Sequence, residues 1–331
     1  MTAAPVLTIV TYHYIRPIAG SAWPGIKGLE VERFRGQLDY IQRHYTPVGA
    51  ELLFAEARGE KPEWPARPLL LTFDDGYFDH YHHAFKEMRR RGLKGAFFAP
   101  TQSLLDRRLL DVNKVHFVLA AESDHRKLAS EIDAHLASML PGDSTAAIAG
   151  LHAAMRKPSR WDPAETVYVK RVLQRGPSAD VRSAIAGALF RKYVSADIPA
   201  FAEQLYLTPA QAREMISEGM HFGSHGDQHI WFDHSSVDEQ RQDLENSLRL
   251  RTTLGLKDGE YSICYPYGGY SAPSLDLARQ YGFTLGFTTR LDLNAVSRDT
   301  KFLELARIDA GADVPSGADA PVSSWTKRVL C

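Results

Sequence analysis

Two acidic residues stand side by side in Thr72-Phe73-Asp74-Asp75-Gly76-Tyr77, where an apolar run gives way to a helical pattern. Adjacent carboxylates repel each other unless a cation sits between or beside them. A metal ion supplies that charge, with one Asp binding it and the other left to move protons. The plainer alternative is an Asp pair that caps a helix and charges its first turn. Further on, Ser224-His225-Gly226-Asp227-Gln228-His229 also follows a strand-like run, and its two histidines, four apart, can turn both imidazoles to one ion. Two His and one carboxylate form a facial set that leaves coordination positions open to water and substrate. Among 13 histidines such a pair also arises by chance on a surface loop. A third segment, Tyr261 to Tyr270, ends a strand-like run in Pro266 and Gly268. Its Tyr265 and Tyr267 suit a stacking wall for a sugar ring, or equally core tyrosines beside a turn.

These segments need a framework that brings strand ends together. Strand-like runs at Val6–Tyr12, Leu69–Phe73, Lys94–Ala99, His221–Ser224, Tyr261–Tyr265, Leu285–Thr289 and Glu304–Ile308 alternate with helical patterns at Val31–His44, Phe78–Arg91, Val237–Leu254 and Ser271–Tyr281. Thr208-Pro209 reads as a helix start, a hydroxyl cap followed by proline at the first helical position. Such alternation implies a mostly parallel sheet, open or closed into a barrel, with chemistry at the carboxyl ends of its strands. The stretch 104–207 is rich in Ala, Leu, Arg and Glu with little strand signal, so a helical insertion within a single catalytic domain 1–331 is expected. From Gly311 onward, Pro315, Gly317 and Pro321 read as an irregular tail.

Composition sets the outer bounds. The 331 residues are 44% hydrophobic and 24% charged with a formal net charge of −1, so no global field draws in nucleic acid or an anionic membrane. No apolar run approaches the roughly 18 residues of a membrane span. The N-terminal residues lack a signal-like pattern, and the two cysteines, Cys264 and Cys331, are far apart, which together suggest a cytoplasmic protein without a disulfide framework.

In this order, T-F-D-D, H-x-x-x-H and P-Y-G resemble the polysaccharide deacetylase (NodB-homology) family, also called carbohydrate esterase family four. The resemblance covers Leu69 to about Phe287 apart from the insertion. It implies a distorted (β/α) barrel and a metal-dependent hydrolase. Carried over residue by residue, it makes Asp75, His225 and His229 the ligands of one divalent metal ion, zinc first, with Co, Mn, Fe or Ni as alternatives. Asp74 becomes the general base.

The sequence departs from the family pattern at three points. Gly226 stands where Ser or Thr usually follows the first metal His, Cys264 stands where an Arg often orients the base, and the L-x-H that supplies a general acid near the C-terminus is absent. In a closed barrel the first and last strands are neighbours, so His13, ending the strand Ile9-Val10-Thr11-Tyr12, can be that acid, as in family members of permuted motif order. Its alternative is a histidine satisfied in a strand-end loop. In Leu305-Ala306-Arg307-Ile308-Asp309, alternation puts Leu305, Arg307 and Asp309 on one face. Arg307 can then replace the missing arginine and hold Asp74 ionised, or else make a surface salt bridge. Trp23, in the Trp23 to Gly28 loop, is a candidate for stacking on a sugar, or part of a plain connection. His80, His82 and His83 read as a solvated helix face, and Cys264 as a small buried hydrophobe.

The expected activity is removal of an N-acyl group, acetyl foremost, from a sugar or a nucleotide- or lipid-linked glycan precursor in surface polysaccharide biosynthesis. Two alternatives stay open: a degenerate barrel that binds glycans or a partner, and a metal-dependent deformylase or amidase acting on a non-sugar.

Overall fold

Alternating strands and helices bury both faces of a parallel sheet, and the strands here are accordingly apolar almost throughout. The computed structural model describes residues 4–159 and 162–330; Cys331 lies outside the described residues. The strands are β1 (Val6–Tyr12), β2 (Thr46–Pro47), β3 (Pro68–Phe73), β4 (Ala96–Ala99), β5 (His221–Ser224), β6 (Ser262–Cys264), β7 (Leu285–Phe287), β8 (Asn294–Ala295) and β9 (Ile308–Asp309). Their order is β7-β6-β5-β4-β3-β1-β8, with β2 beside β3 and β9 beside β1. Every pairing is parallel except β1 with β8.

The segment from Leu305 to Asp309 closes this sheet. At its start Leu305 bridges to Phe287 of β7, and at its end Ile308 and Asp309 pair with Val10 and Thr11 of β1. The result is the distorted barrel expected from the sequence. The strand foreseen at Glu304–Ile308 is present as this bridge and β9.

Period-two alternation sorts the side chains. Leu7, Ile9, Leu70, Ala96, Phe98, Leu285, Phe287 and Leu305 form one buried cluster, while Val10, Leu71, Phe73, Phe97 and Phe222 belong to another, shared with the surrounding helices. Helix Val31–His44 lays Phe34, Leu38 and Ile41 on that second cluster. Helix Pro209–Ser217 starts with the Thr208 hydroxyl accepting from Gln211 N at 3.2 Å, and Gln211 reciprocates in a capping box. Ser236 and Glu239 do the same for helix Val237–Leu254, which stops at Gly255 in the left-handed region.

The chain divides into two compact units, one of residues 1–17, 28–108 and 204–331 that contains the barrel, and a helical unit of 18–27 and 109–203. The helical unit holds helices Asp111–Ala121, His125–Met139, Ser144–Met155, Ala164–Arg175 and Ala179–Tyr193, in keeping with the strand-poor composition of 104–207. Asp124 and Asp143 cap two of them by accepting backbone N–H bonds. Leu128, Ile132, Leu136, Tyr168, Val172, Ile185 and Leu189 are buried there. Among the described residues no helix is long and apolar enough to cross a membrane.

The C-terminal stretch is not the irregular tail its Pro and Gly suggest. Helices form at Ala310–Asp313 and Ser324–Leu330. The second docks because the buried Thr326 hydroxyl meets the hydroxyls of Tyr40 and Tyr45, each at 2.8 Å, while Trp325 and Val329 pack on the outer cluster.

Candidate active site

The barrel interior changes character toward the carboxyl ends of its strands. Above Ile9 on β1 comes Thr11, above Leu70 on β3 comes Thr72, and beyond them sit His13 and Asp74. Asp74 is buried, with its backbone N–H bonded to Tyr12 O at 2.9 Å. Its carboxylate receives Arg307 in a two-pronged pair, Nη1 to Oδ1 and Nη2 to Oδ2, both 2.8 Å. The remaining guanidinium donors go to Thr288 O, Thr72 Oγ1 and Cys264 Sγ, so all five N–H groups of this fully buried arginine have partners. Burial opposes ionisation of Asp74, yet the Arg307 guanidinium outweighs it and holds the carboxyl well below the usual carboxylate range. Thr11 Oγ1 donates to Asp74 Oδ2 at 3.3 Å.

Asp75 turns the other way. Its φ of 76° lies in the left-handed region, which a non-glycine residue adopts only under constraint. This swings its carboxylate toward the loop after β5. His225 Nε2 and His229 Nε2 each lie 3.3 Å from Asp75 Oδ1, an oxygen with no hydrogen-bond partner. Tyr77 donates to the other oxygen, Oδ2, at 2.6 Å. His225 Nδ1 donates to the Cys264 carbonyl at 2.7 Å, which leaves the Nε2 lone pair facing Asp75. One carboxylate oxygen and two imidazole nitrogens thus converge, all within 4.8 Å of one another and all on buried residues. An orphaned buried oxygen between two imidazoles fits a divalent cation, and the N/O donor set suits zinc and its neighbours. The repulsion expected between Asp74 and Asp75 is thereby relieved on two sides, by a guanidinium for one and by the imidazoles for the other.

The loop carrying the histidines is held from behind. Gly226 has φ 74°, and a Cβ there would meet Asp243 Oδ2 at 2.5 Å, so a Ser or Thr here would strain the backbone and displace that carboxylate. Asp243, buried in helix Val237–Leu254, accepts from Asp227 N at 2.8 Å and Gln228 N at 2.9 Å. Burial pushes its carboxyl up to about 7, against those two backbone donors. Two further residues at the site have left-handed backbones, His229 (φ 60°) and Tyr267 (φ 58°). Their rings meet edge to face at 4.6 Å, and Trp231 stacks on Tyr267 at 4.5 Å.

His13 stands at the rim with Nε2 3.9 Å from Asp74 Oδ2 and its side chain 47% exposed. Its carbonyl faces His80 Nε2 at 2.9 Å. His80 is therefore no solvated residue: it is fully buried among Phe73, Tyr77 and Phe97, in a π-helical turn His80–Phe85, while His82 is exposed as expected. Burial pulls its imidazole down to about 4.

The nine residues singled out from the sequence separate into two groups. Asp74, Asp75, His225, His229, His13, Arg307 and Tyr267 come together. Tyr265 instead packs in the core with Phe232 and Tyr270 and is 1% exposed, because its side chain falls on the outer face of the strand end. Trp23 lies in the helical unit, edge-on to Phe117 and Phe201. Sequence reasoning passed over Tyr77, Trp231, Asp243 and the tie from the Cys264 backbone to His225. Tyr77 and Trp231, two residues past Asp75 and His229, were the findable ones. Asp243 looks like any acid on an exposed helix face.

Comparison with known proteins finds the same fold. The polysaccharide deacetylase family model matches residues 181–286, which include His225, His229 and the Tyr265 to Gly268 turn but not the Asp pair. No curated protein matches the sequence. The fold is similar to the Streptococcus pyogenes deacetylase PplD in complex with acetate, at 17% identity and TM-score 0.54, over 99% of this chain and 98% of that one. It is similar to IcaB from Ammonifex degensii at 18% identity and TM-score 0.54, over 99% and 97%. It is also similar to the BpsB deacetylase domain from Bordetella bronchiseptica at 16% identity and TM-score 0.52, over 92% and 95%.

Proposed function

We propose that this chain, a relative of the polysaccharide deacetylases in sequence over residues 181–286 and in fold over nearly its whole length, removes an N-acyl group, acetyl foremost, from a sugar or glycan precursor with the help of a divalent metal ion. It is a hydrolase acting on carbon–nitrogen bonds other than peptide bonds. The observation that carries the reading is the convergence of Asp75 Oδ1, His225 Nε2 and His229 Nε2 one residue away from an Asp held ionised by Arg307.

Asp75, His225 and His229 would hold the cation, which when bound supplies Lewis acidity toward water and an acyl oxygen. The chain's own groups do the rest. Asp74 stays an anion well below the usual carboxylate range because of Arg307, and its Oδ2 accepts the proton from the attacking water. The same Arg307 clamp lowers its basicity, so the proton rests there only in passing. His13, exposed and on the Oδ2 side of Asp74, delivers a proton to the departing sugar amine. Tyr267, backed by Trp231, walls the metal ligand His229 and offers an aromatic surface to the sugar. A cytoplasmic enzyme of this kind would meet nucleotide-linked or lipid-linked precursors; a secreted one would meet finished polymer.

The test is metal content of the purified protein beside His225→Ala, together with acetate release from N-acetylated glucosamine oligomers. About one divalent ion per chain, lost with turnover in the variant, supports the reading. No metal in either protein after zinc or cobalt is added would leave a barrel that binds glycans without hydrolysing them.

A further inference from the structure

We infer that Tyr77 is a positioning residue for the metal site, fixing the Asp75 carboxylate so that only Oδ1 is presented between the two imidazoles. This rests on the reading above that Asp75, His225 and His229 hold a cation. The two oxygens of Asp75 have different surroundings: Oδ2 accepts the Tyr77 hydroxyl at 2.6 Å, whereas Oδ1 has no hydrogen-bond partner and faces both Nε2 atoms. A hydrogen bond of that length to a carboxylate in a buried site is strong and directional. The left-handed backbone at Asp75, followed by Gly76 at φ 66°, folds the chain back so that the side chain two residues on reaches the carboxylate.

The phenol itself is fixed in place. Tyr77 is fully buried, stacked on Tyr14 at 4.0 Å with 16° between planes and lying nearly parallel to Tyr206 at 6.3 Å. A backbone bridge joins Tyr77 to Tyr206, and Leu207 N donates to Gly76 O at 3.0 Å. Beyond Tyr14, Arg16 lies over the Tyr14 ring and makes a two-pronged pair with the buried Asp79. None of these contacts touches the histidines or Asp74. They serve to hold one hydroxyl against one oxygen. Without that hydroxyl the carboxylate is free to rotate and Oδ2 loses its buried donor.

Partners of ligating groups typically cost about 10–100-fold in metal affinity when removed. Tyr77→Phe keeps the ring between Tyr14 and Tyr206, so the packing survives and only the hydroxyl is lost. The measurements are zinc affinity by chelator competition, the visible spectrum of the cobalt-loaded protein, and melting of the metal-free protein as a check on folding. Zinc affinity lowered about 10–100-fold, with a cobalt spectrum changed in position or intensity, is the expected result. Tyr77→Met, a second variant without the hydroxyl, is measured in the same way so that the outcome does not depend on one substitution's folding. Tyr281→Phe, which removes a tyrosine hydroxyl that meets Glu245 on the exposed surface, should bind zinc like the unmutated protein. Unmutated affinity and an unchanged cobalt spectrum in a folded Tyr77→Phe protein overturn the inference alone. Failure of the unmutated protein to bind metal overturns the reading beneath it.

Discussion

The two ends of the barrel interior are built from the same strands and the same faces, yet they follow opposite rules. Toward the amino ends lie Leu7, Ile9, Leu70, Leu285 and Leu305, members of a buried cluster in which Cys264 alone can ionise. Toward the carboxyl ends lie Thr11, Thr72, Asp74, Cys264 and Arg307. The change falls between Ile9 and Thr11 on β1, between their partners Leu70 and Thr72 on β3, and between Leu305 and Arg307 on the closing segment. Apolar burial, about 25 cal/mol per Å², holds the lower end without regard to direction. The upper end keeps charge buried only because each charged group has a geometric partner, and removing one partner costs far more than the pair contributes. Chemistry needs that second kind of construction, and the first kind supports it from below.

The largest break in this contrast comes from Asp74→Asn. Turnover should fall by about 10²–10⁴, the share a positioned proton acceptor contributes. Metal content should persist, since Asp75, His225 and His229 are unaltered. Arg307 is then left as a buried cation facing an amide, so the folded state should also lose about 3–5 kcal/mol. Adding Arg307→Met should return much of that stability and none of the activity. Urea unfolding of the single and double variants, beside acetate release, checks both halves. A double variant no more stable than Asp74→Asn would sink the claim that the pair is balanced as a unit.

How much of this was legible in the sequence follows the same divide. Helices Val31–His44 and Val237–Leu254 were readable to the residue, because a helical pattern is a local signal. Strands β1, β3, β4, β5, β6 and β7 were readable within two residues for the same reason, whereas the strand expected at Glu304–Ile308 pairs only at Ile308–Asp309 and the two-residue β2 and β8 gave no signal. The convergence of Asp75, His225 and His229 was readable because all three sit at strand ends in short motifs. What needed the folded chain were contacts between distant segments. Arg307 was an even choice between clamp and surface pair until the closing segment placed it 2.8 Å from Asp74. Asp243 gives no local sign that Gly226 lies against it, and Tyr265 sits in the same motif as Tyr267 yet points into the core. The helix Ser324–Leu330 was missed because its signal is one hydroxyl docking against Tyr40 and Tyr45, far away in sequence.

A second prediction tests the lower end. Leu70 is fully buried four residues before Asp74, two layers below it on the same face of β3. Leu70→Ala should cost about 2–5 kcal/mol, the lost transfer energy plus a cavity that the rigid barrel cannot refill. Zinc affinity at 25 °C should stay within about twofold of the unmutated protein, because no ligand or ligand partner is touched. A fall in affinity as large as that from removing a ligand's own partner would mean that the two ends are not separable.

The smallest expected effect concerns acid, and it belongs to the upper end alone. His80 is buried, uses Nε2 on the His13 carbonyl, and has no partner at Nδ1, so a second proton would sit there uncompensated. Burial accordingly pulls it from its ordinary 6.5 to about 4 in the folded protein, against the attraction of the His13 carbonyl. Between those two values the unfolded chain binds the proton and the folded chain does not. Stability contributed by this site is therefore whole above about pH 6.5, declines as pH falls, and is gone below about pH 4. The slope within that window should approach about 1.4 kcal/mol per pH unit. Nothing in the apolar lower cluster titrates in that window, so His80→Asn should flatten this part of the pH profile, although it lowers stability at pH 7. Unfolding both proteins with a chelator present makes the protonation of His225 and His229 common to the two curves and leaves His80 as the difference. Parallel curves from pH 7 to 4.5 would show that acid loosens the upper end through some other group, with Asp74 disfavoured because Arg307 keeps it ionised far below that range.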